Sequence, residues 1–253
     1  MIRVGVFGAA GRMGAEVCRA VDAADDLELV AAVDIEGAGG SVAGQGISDD
    51  PATLVAAGAE VAVDFTVAAS AVRNIRWCTE HGVHAVVGTS GIGAADLAEF
   101  AGSRTGVFIA PNFAIGAVLM MHFARVAAAW MPAAEVIELH HEGKRDSPSG
   151  TSLATVRAIA AGRAGPAPAG PPDPFEVVGG ARGAEQDGVR VHSVRLPGYV
   201  AHQEVLFGAP GETLTIRHDT TDRVSFMPGV LLAVREVAKH PGLTVGLEAL
   251  LGL

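Results

Sequence analysis

Short apolar runs alternate with amphipathic segments through the first part of the chain. The apolar runs cover residues 4–7, 28–34, 61–66, 84–89 and 106–112. They are too continuous for strands with one face in water, so they predict a parallel sheet covered on both faces. Helical periodicity separates them at residues 12–24, 68–81 and 94–102, whereas the glycine-rich segment 37–46 has no clear period. This order predicts a Rossmann-like doubly wound α/β domain with right-handed crossovers.

The pattern changes after Pro111. A long apolar helix is predicted over residues 115–130, a strand over 134–141, a second helix after the Ser-Gly-Thr turn at 149–151, and strands over 189–196, 202–208 and 212–219. The proline-rich segment 166–174 is predicted to be a connecting loop. These elements indicate a second, α+β domain. The segment 226–243 has the pattern of an amphipathic helix that could pack on the first domain.

Composition and charge limit the classes of protein. With 253 residues and 49% hydrophobic content, the chain can bury one large core or two modest ones. A net charge of -10 and the lack of a Lys/Arg run exclude a general nucleic-acid binder. The chain shows no signal-peptide pattern and no apolar run long enough to span a bilayer, so we expect a cytoplasmic protein without membrane contacts. Cys18 and Cys78 lie in predicted helices and are expected to be buried thiols in a reducing compartment.

A glycine loop at the first strand-to-helix turn predicts dinucleotide binding. Gly8, Gly11 and Gly14 stand where a pyrophosphate would rest on the free amides of a helix start. Asp34 ends the second predicted strand, where its carboxylate could accept hydrogen bonds from a ribose diol. Arg12 could offset the repulsion between Asp34 and a 2'-phosphate, so the choice between NADH and NADPH stays open. The strand exits at 88–91 and 110–113 are further candidates for this site.

The stretch from Glu138 to Ser152 concentrates titratable and hydroxyl side chains. It is not a phosphate-binding P-loop, because Arg145 follows Gly143 and Lys144 where Ser or Thr is required. A zinc site is disfavoured, because adjacent histidines in a strand point to opposite faces. Two interpretations stay open, a solvated loop with chance polar residues and an anion and proton-transfer site. A helix that starts at residues 149–151 favours a carboxylate, Lys144 adds positive charge, and a histidine titrates near neutrality.

Six motifs together resemble the dihydrodipicolinate reductase family. They are GAAGRMG, HAVVGTSG, APNFAIG, ELHH, KRDSPSGT and AHQEVLFG, and they occur in the family's order over nearly the whole chain. The resemblance implies NADPH- or NADH-dependent reduction of a cyclic dicarboxylate imine, 4-hydroxy-tetrahydrodipicolinate, in diaminopimelate and lysine synthesis. It also implies a homotetramer. The alternatives considered are a related oxidoreductase acting on a small dicarboxylate and a nucleotide sensor without catalysis.

The resemblance assigns roles to residues of this chain. His140 would give or take a proton and Lys144 would donate one, while His141, Gly150 and Thr151 would bind the carboxylates, with Ser149 at the same helix start. The dinucleotide would be lined by Gly8, Ala9, Ala10, Gly11, Arg12, Met13, Asp34, Gly88, Thr89, Ser90, Ala110, Pro111, Asn112 and Phe113. No metal is expected.

The resemblance also sets out the domains. It implies a dinucleotide-binding domain over residues 1–114, a substrate-binding and tetramerisation domain over 115–223, and a C-terminal segment over 224–253 that returns to the first domain. The chain departs from the family pattern at Gly143, where a histidine is typical, and at Ser90, where a threonine is typical. We expect Gly143 to loosen the loop that carries Lys144.

Overall fold

Two units, each with its own β-sheet, make up the chain. The computed structural model describes residues 1–169 and 175–253. The first unit comprises Met1–Ile115 and Arg223–Leu253, and the second comprises Gly116–Asp222. The loop predicted over 166–174 has no regular structure at 166–169, and the rest of it lies outside the described residues.

The sheet of the first unit has eight strands in the order β13-β7-β6-β5-β1-β2-β4-β3. Their bounds are β1 Ile2–Phe7, β2 Leu27–Val33, β3 Ser41–Val42, β4 Gln45–Ser48, β5 Val61–Asp64, β6 His84–Val87, β7 Gly106–Ile109 and β13 Gly242–Val245. Neighbouring strands are parallel except β3 and β4, which form an antiparallel pair. The predicted Rossmann-like doubly wound fold is therefore confirmed.

Helices connect the strands of this sheet. They are α1 Arg12–Asp22, α2 Ala52–Ala56, α3 Ala68–Glu80 and α4 Ala94–Ala98. Helix α1 buries Gly14, Val17, Cys18 and Val21, which lie on one face at helical spacing.

Both cysteines of the chain, Cys18 and Cys78, are buried free thiols as predicted. Burial raises the pKa of the Cys18 thiol to about 12 and raises that of Cys78 as well.

Short elements account for the main differences from the sequence prediction. The segment 37–46 contains β3 and the start of β4, and α2 was not predicted. The helix predicted over 94–102 ends at Ala98. These elements have between two and five residues, so each is too short to show a hydrophobic period.

The C-terminal segment lies in the first unit. It contains a 3-10 turn at Arg223–Phe226, helix α7 Met227–Glu236, a second 3-10 turn at Val237–Lys239, strand β13 and helix α8 Glu248–Leu251. Strand β13 adds to the sheet beside β7, and α7 packs beside α1. Arg235 of α7 also donates two hydrogen bonds to the Asp26 carboxylate, at 2.7 and 2.8 Å.

The second unit contains a five-stranded mixed sheet in the order β12-β11-β8-β10-β9. The elements are α5 Ile115–Ala128, β8 Ala133–His140, α6 Gly150–Gly162, β9 Ala184–Gln186, β10 Val189–Arg195, β11 Ala201–Ala209 and β12 Glu212–Thr220. Strands β8 and β10 are parallel and the other pairs are antiparallel. Helix α6 packs against β8 and β10. Across residues 1–169 and 175–253, no helix has the length and apolar character needed to cross a membrane.

Candidate active site

The glycine loop, residues 8–14, forms the turn from β1 into α1. Gly8 has a φ of +74°, which favours glycine. A Cβ on Gly14 would lie 2.0 Å from the carbonyl oxygen of Gly8, so only glycine lets the helix start this close to the strand. Ala9 is buried, whereas Ala10, Gly11 and Arg12 are exposed and Met13 is half-buried. The loop therefore presents backbone at the start of α1.

Asp34 follows β2 and holds the glycine loop from the side. Its Oδ2 accepts a hydrogen bond from the Ala10 amide at 3.0 Å, and its Oδ1 accepts one from the Glu36 amide at 2.9 Å. Asp34, Gly8 and Gly11 line a cleft of about 390 Å³. Of the described residues that line this cleft, the single arginine is Arg73 rather than Arg12.

The two later loops leave the same edge of the sheet, because β1, β2, β6 and β7 run in one direction. Gly88 follows β6, and a Cβ there would lie 2.0 Å from the Phe65 ring, which lines the cleft. Phe113 is buried with its ring centroid 5.8 Å from that of Phe65. The sheet thus brings the predicted cofactor residues to one edge.

Not every side chain in these loops is available to a ligand. The Thr89 hydroxyl is buried and donates to Asp64 at 3.1 Å, and the Asn112 carboxamide oxygen accepts from the Ala114 amide at 2.9 Å. Ala110 is also buried. Ser90 and Pro111 are exposed. Asp64, which the sequence did not indicate, also accepts from Thr66 and Asn74 and so braces this edge of the sheet.

In the second unit, His140 is the last residue of β8 and contacts a buried carboxylate. Its Nδ1 is hydrogen-bonded to Oε2 of Glu138, whose side chain is 0% exposed. Arg195, the last residue of β10, donates to both oxygens of the same carboxylate, at 2.8 and 2.7 Å. The result is a chain of hydrogen bonds that runs from the imidazole through the carboxylate to the guanidinium.

These contacts determine the charge of Glu138. Burial alone would raise the pKa of Glu138, but hydrogen bonds from His140, Arg195 and Ser193 lower it to about 2. The group is therefore a carboxylate at neutral pH and acts only as a hydrogen-bond acceptor.

Lys144 lies in the loop that follows β8, close to that network. The Lys144 amide donates to the carbonyl of His141 at 3.1 Å, which closes a turn, and Nζ lies 2.9 Å from both carboxylate oxygens of Asp146. The hydrogen bond from Lys144 lowers the pKa of Asp146. His141 is exposed and outside the strand. A Cβ on Gly143 would lie 3.2 Å from the His141 ring; that Gly143 loosens the loop stays a prediction.

Helix α6 starts directly after this loop, as predicted. The Ser149 hydroxyl accepts from the Ser152 amide at 3.1 Å and caps the helix. A buried chain of hydrogen bonds continues from Ser149 through the Ser152 hydroxyl to Gln203 and on to Thr155. Gly150 is exposed and Thr151 is half-buried. The amides of this turn therefore stand beside the Lys144 loop, while the Ser149 side chain serves the cap.

Comparison with known proteins identifies the family. The model described as "Dihydrodipicolinate reductase, N-terminus" matches residues 2–113, and "Dihydrodipicolinate reductase, C-terminus" matches residues 116–251. The chain belongs to the dihydrodipicolinate reductase family. The resemblance inferred from the sequence is thus confirmed.

Relatives within the dihydrodipicolinate reductase family are similar over their full length. The 4-hydroxy-tetrahydrodipicolinate reductases of Nocardia farcinica and Thermobifida fusca are 55% and 54% identical to this chain, covering 100% of it and 99% and 100% of those proteins. A dipicolinate-bound dihydrodipicolinate reductase from Paenisporosarcina sp. TG-14 has a TM-score of 0.88 at 38% identity, over 98% of this chain and 99% of that one. An amine dehydrogenase from Mycobacterium smegmatis, at 17% identity, shares the fold alone.

Sequence reasoning did not predict that Glu138 and Arg195 form hydrogen bonds beside His140. Glu138 lies two residues after the buried Val136 in β8, so both side chains point to the same, inward face of the strand. A charged residue at an inward position of an alternating strand was the signal in the sequence that Glu138 has a charged partner. Arg195 is 57 residues away along the chain, and no local spacing relates it to Glu138. Among the residues that the structure describes, no cluster of three or more His, Cys, Asp or Glu side chains could hold a metal ion.

Proposed function

We propose that this chain reduces 4-hydroxy-tetrahydrodipicolinate to tetrahydrodipicolinate with NADPH or NADH, with the 4-hydroxyl lost as water, a step of diaminopimelate and lysine synthesis. Family membership over almost the entire chain supports this activity. The observation that carries the proposal within the molecule is the cluster in the second unit, where an imidazole, an ammonium and a helix start occur in one short segment.

The first unit has a loop suited to a dinucleotide. Gly8 and Gly14 let the chain turn closely into α1, so backbone amides can approach a pyrophosphate. Asp34, which lines the cleft, would accept a hydrogen bond from a ribose hydroxyl. The exits at residues 88–90 and 110–113 would complete the site. The bound dinucleotide supplies a hydride.

The second unit would hold the dicarboxylate. Lys144 and the amides of Gly150 and Thr151 offer positive charge and hydrogen-bond donors to the carboxylates, and exposed His141 adds a further donor. Because Lys144 is already paired with Asp146, the substrate carboxylate would replace Asp146 as its partner.

His140 would transfer the proton that the reduced ring requires. Its Nδ1 is held by Glu138, so the imidazole has a fixed orientation. Lys144 would stabilise the negative charge that develops as the hydride arrives, and it can also donate a proton. A homotetramer assembled through the second unit and located in the cytoplasm completes the proposal and rests on the family resemblance.

An assay of dinucleotide oxidation tests the function. The substrate is made in situ from pyruvate and aspartate semialdehyde with a synthase, and absorbance of NADPH or NADH is followed at 340 nm. We expect turnover that depends on the synthase. Absence of turnover, together with oxidation of the dinucleotide in the presence of oxaloacetate and ammonia, would instead identify an amino-acid dehydrogenase.

A further inference from the structure

We infer that Glu138 and Arg195 are positioning residues for the two proposed catalytic side chains. Glu138 determines which nitrogen of His140 carries the proton, and Arg195 joins that carboxylate to the loop that holds Lys144. The inference rests on the proposed function for the roles of His140 and Lys144. The hydrogen bonds behind it belong entirely to the second unit.

Glu138 fixes the tautomer of His140. Both carboxylate oxygens are engaged, Oε2 by His140 and Arg195 and Oε1 by Arg195. An ionised carboxylate cannot donate, so the hydrogen in the contact with His140 must lie on Nδ1. In the neutral ring Nε2 is then the basic nitrogen, and it is the atom at which a proton is gained and lost.

Arg195 links this carboxylate to the Lys144 loop. Besides its two bonds to Glu138, the guanidinium donates to the Lys144 carbonyl at 3.3 Å and to the Asp146 carbonyl at 2.7 Å. One planar group thus holds the partner of the imidazole and the backbone on both sides of Arg145. The compact ammonium of a lysine cannot reach all of these acceptors. Movement of Arg195 would therefore displace both proposed catalytic groups.

A second carboxylate on β8 provides a matched control. Glu135 also contacts a histidine and an arginine, through His192 at 2.8 Å and through Arg182. It lies three residues before Glu138 and so on the opposite face of the strand, and its side chain is 36% exposed. Both clusters thus combine a glutamate of β8 with a histidine and an arginine. Of the two glutamates, Glu138 is the one that is fully buried and lies next to the Lys144 loop.

Nitrogen NMR of histidine-labelled protein tests the tautomer without any assay of activity. The signals of His140 are assigned by their loss in His140→Gln. Above the ionisation of the ring we expect the wild type to hold the hydrogen on Nδ1, and Glu138→Gln to show a mixture of tautomers. A wild-type ring with its hydrogen on Nε2 would overturn the inference.

Kinetics of Glu138→Gln and Arg195→Lys test the effect on turnover. We expect kcat to fall by about 10- to 100-fold in each, with the dinucleotide KM within about twofold of wild type. Removal of the negative charge beside the imidazole should also move the alkaline limb of the pH profile of Glu138→Gln to lower pH. Glu135→Gln and Arg182→Lys should retain the wild-type kcat and profile.

The outcomes separate this inference from the proposed function. An active reductase whose kcat and pH profile are unchanged in Glu138→Gln and Arg195→Lys would contradict the positioning role and leave the function intact. A chain that binds dinucleotide but reduces no 4-hydroxy-tetrahydrodipicolinate would contradict the function, while the NMR result would still decide the tautomer. Where Glu138→Gln fails to fold, the wild-type spectrum tests Glu138. Where Arg195→Lys fails to fold, Arg195→Gln tests Arg195 by the same comparison of kcat with KM.

Discussion

Helices α1 and α6 both begin beside a proposed anion-binding site, but their starts are built in opposite ways. The start of α1 follows Gly11, which has no side chain, and the close turn depends on the missing Cβ of Gly14. The start of α6 is capped by Ser149 and anchored by buried side chains as far as Gln203. The start of α1 therefore offers backbone amides alone, whereas the start of α6 offers backbone amides that are ordered by a side-chain cap and follow the Lys144 loop.

This difference predicts that substitutions at the two sites separate binding of the dinucleotide from chemistry. The largest effect is expected for Lys144→Ala. It should lower kcat/KM about 100- to 1000-fold, because the charge that stabilises the reacting dicarboxylate is lost. Dinucleotide affinity, measured by fluorescence titration, should not change.

Lys239 is the matched control for Lys144. It is the other lysine of the chain and pairs with Glu236 in the first unit. Lys239→Ala should leave kcat/KM within about twofold of wild type. Full activity of Lys144→Ala would instead favour a nucleotide sensor, in which the cluster serves assembly.

At the backbone site, Gly14→Ala is expected to weaken dinucleotide binding about 100-fold. The added Cβ would lie 2.0 Å from the Gly8 carbonyl oxygen, so the loop or the helix must shift. Calorimetric titration with NADPH and NADH gives the Kd. Gly46→Ala is the control, since a Cβ there meets nothing within 4 Å. Equal affinities of both variants would refute the backbone account of this site.

The buried carboxylate of Glu138 should make stability depend on pH. Its pKa of about 2 in the folded state lies below its ordinary value of 4.5, so its contribution is fully present above pH 4.5 and is lost as pH falls toward 2. The loss should reach roughly 2–3 kcal/mol. Urea unfolding from pH 5 to 2.5 measures it, and Glu138→Gln should show a shallower decline than wild type. Parallel declines would contradict the low pKa.

The smallest effect is expected for the helix cap. Ser149→Ala should lower the free energy of unfolding by about 1 kcal/mol, because the amide of Ser152 loses its acceptor. Ser149→Asp restores an acceptor and should recover part of this loss. Thermal unfolding measures both variants. The same cap orders the amides of Gly150 and Thr151, which are proposed to bind the substrate carboxylates. We therefore expect Ser149→Ala to raise KM for the dicarboxylate and to leave KM for the dinucleotide constant.

The sequence predicted those elements that are determined by residues close together in the chain. The turn at Gly8 and the helix starts at Arg12 and Gly150 follow from local spacing, as does most of the strand predicted over 134–141, which ends one residue early at His140. Strand β13 was missed because four residues at a sheet edge have no period of their own, and they pair with β7 only after a long separation in sequence.

The site was predicted unevenly for the same reason. Motif resemblance proposed His140 and Lys144, and their roles remain predictions. The partner that orients His140 was not predicted, because a buried Glu138 is stable only with Arg195, which arrives from another strand through the parallel register of β8 and β10. Pairings of this kind depend on tertiary structure.

The pairing of Lys144 with Asp146 has a consequence for inhibitors of this enzyme. Under the proposed function, a dicarboxylate would exchange one ion pair of Lys144 for another, so its net electrostatic gain would be smaller than a bare ammonium would provide. A compound that carries an anionic group for Lys144 and a hydrogen-bond donor for Asp146 would use both members of this ion pair, which makes Asp146 a point of attachment beyond the proposed substrate contacts.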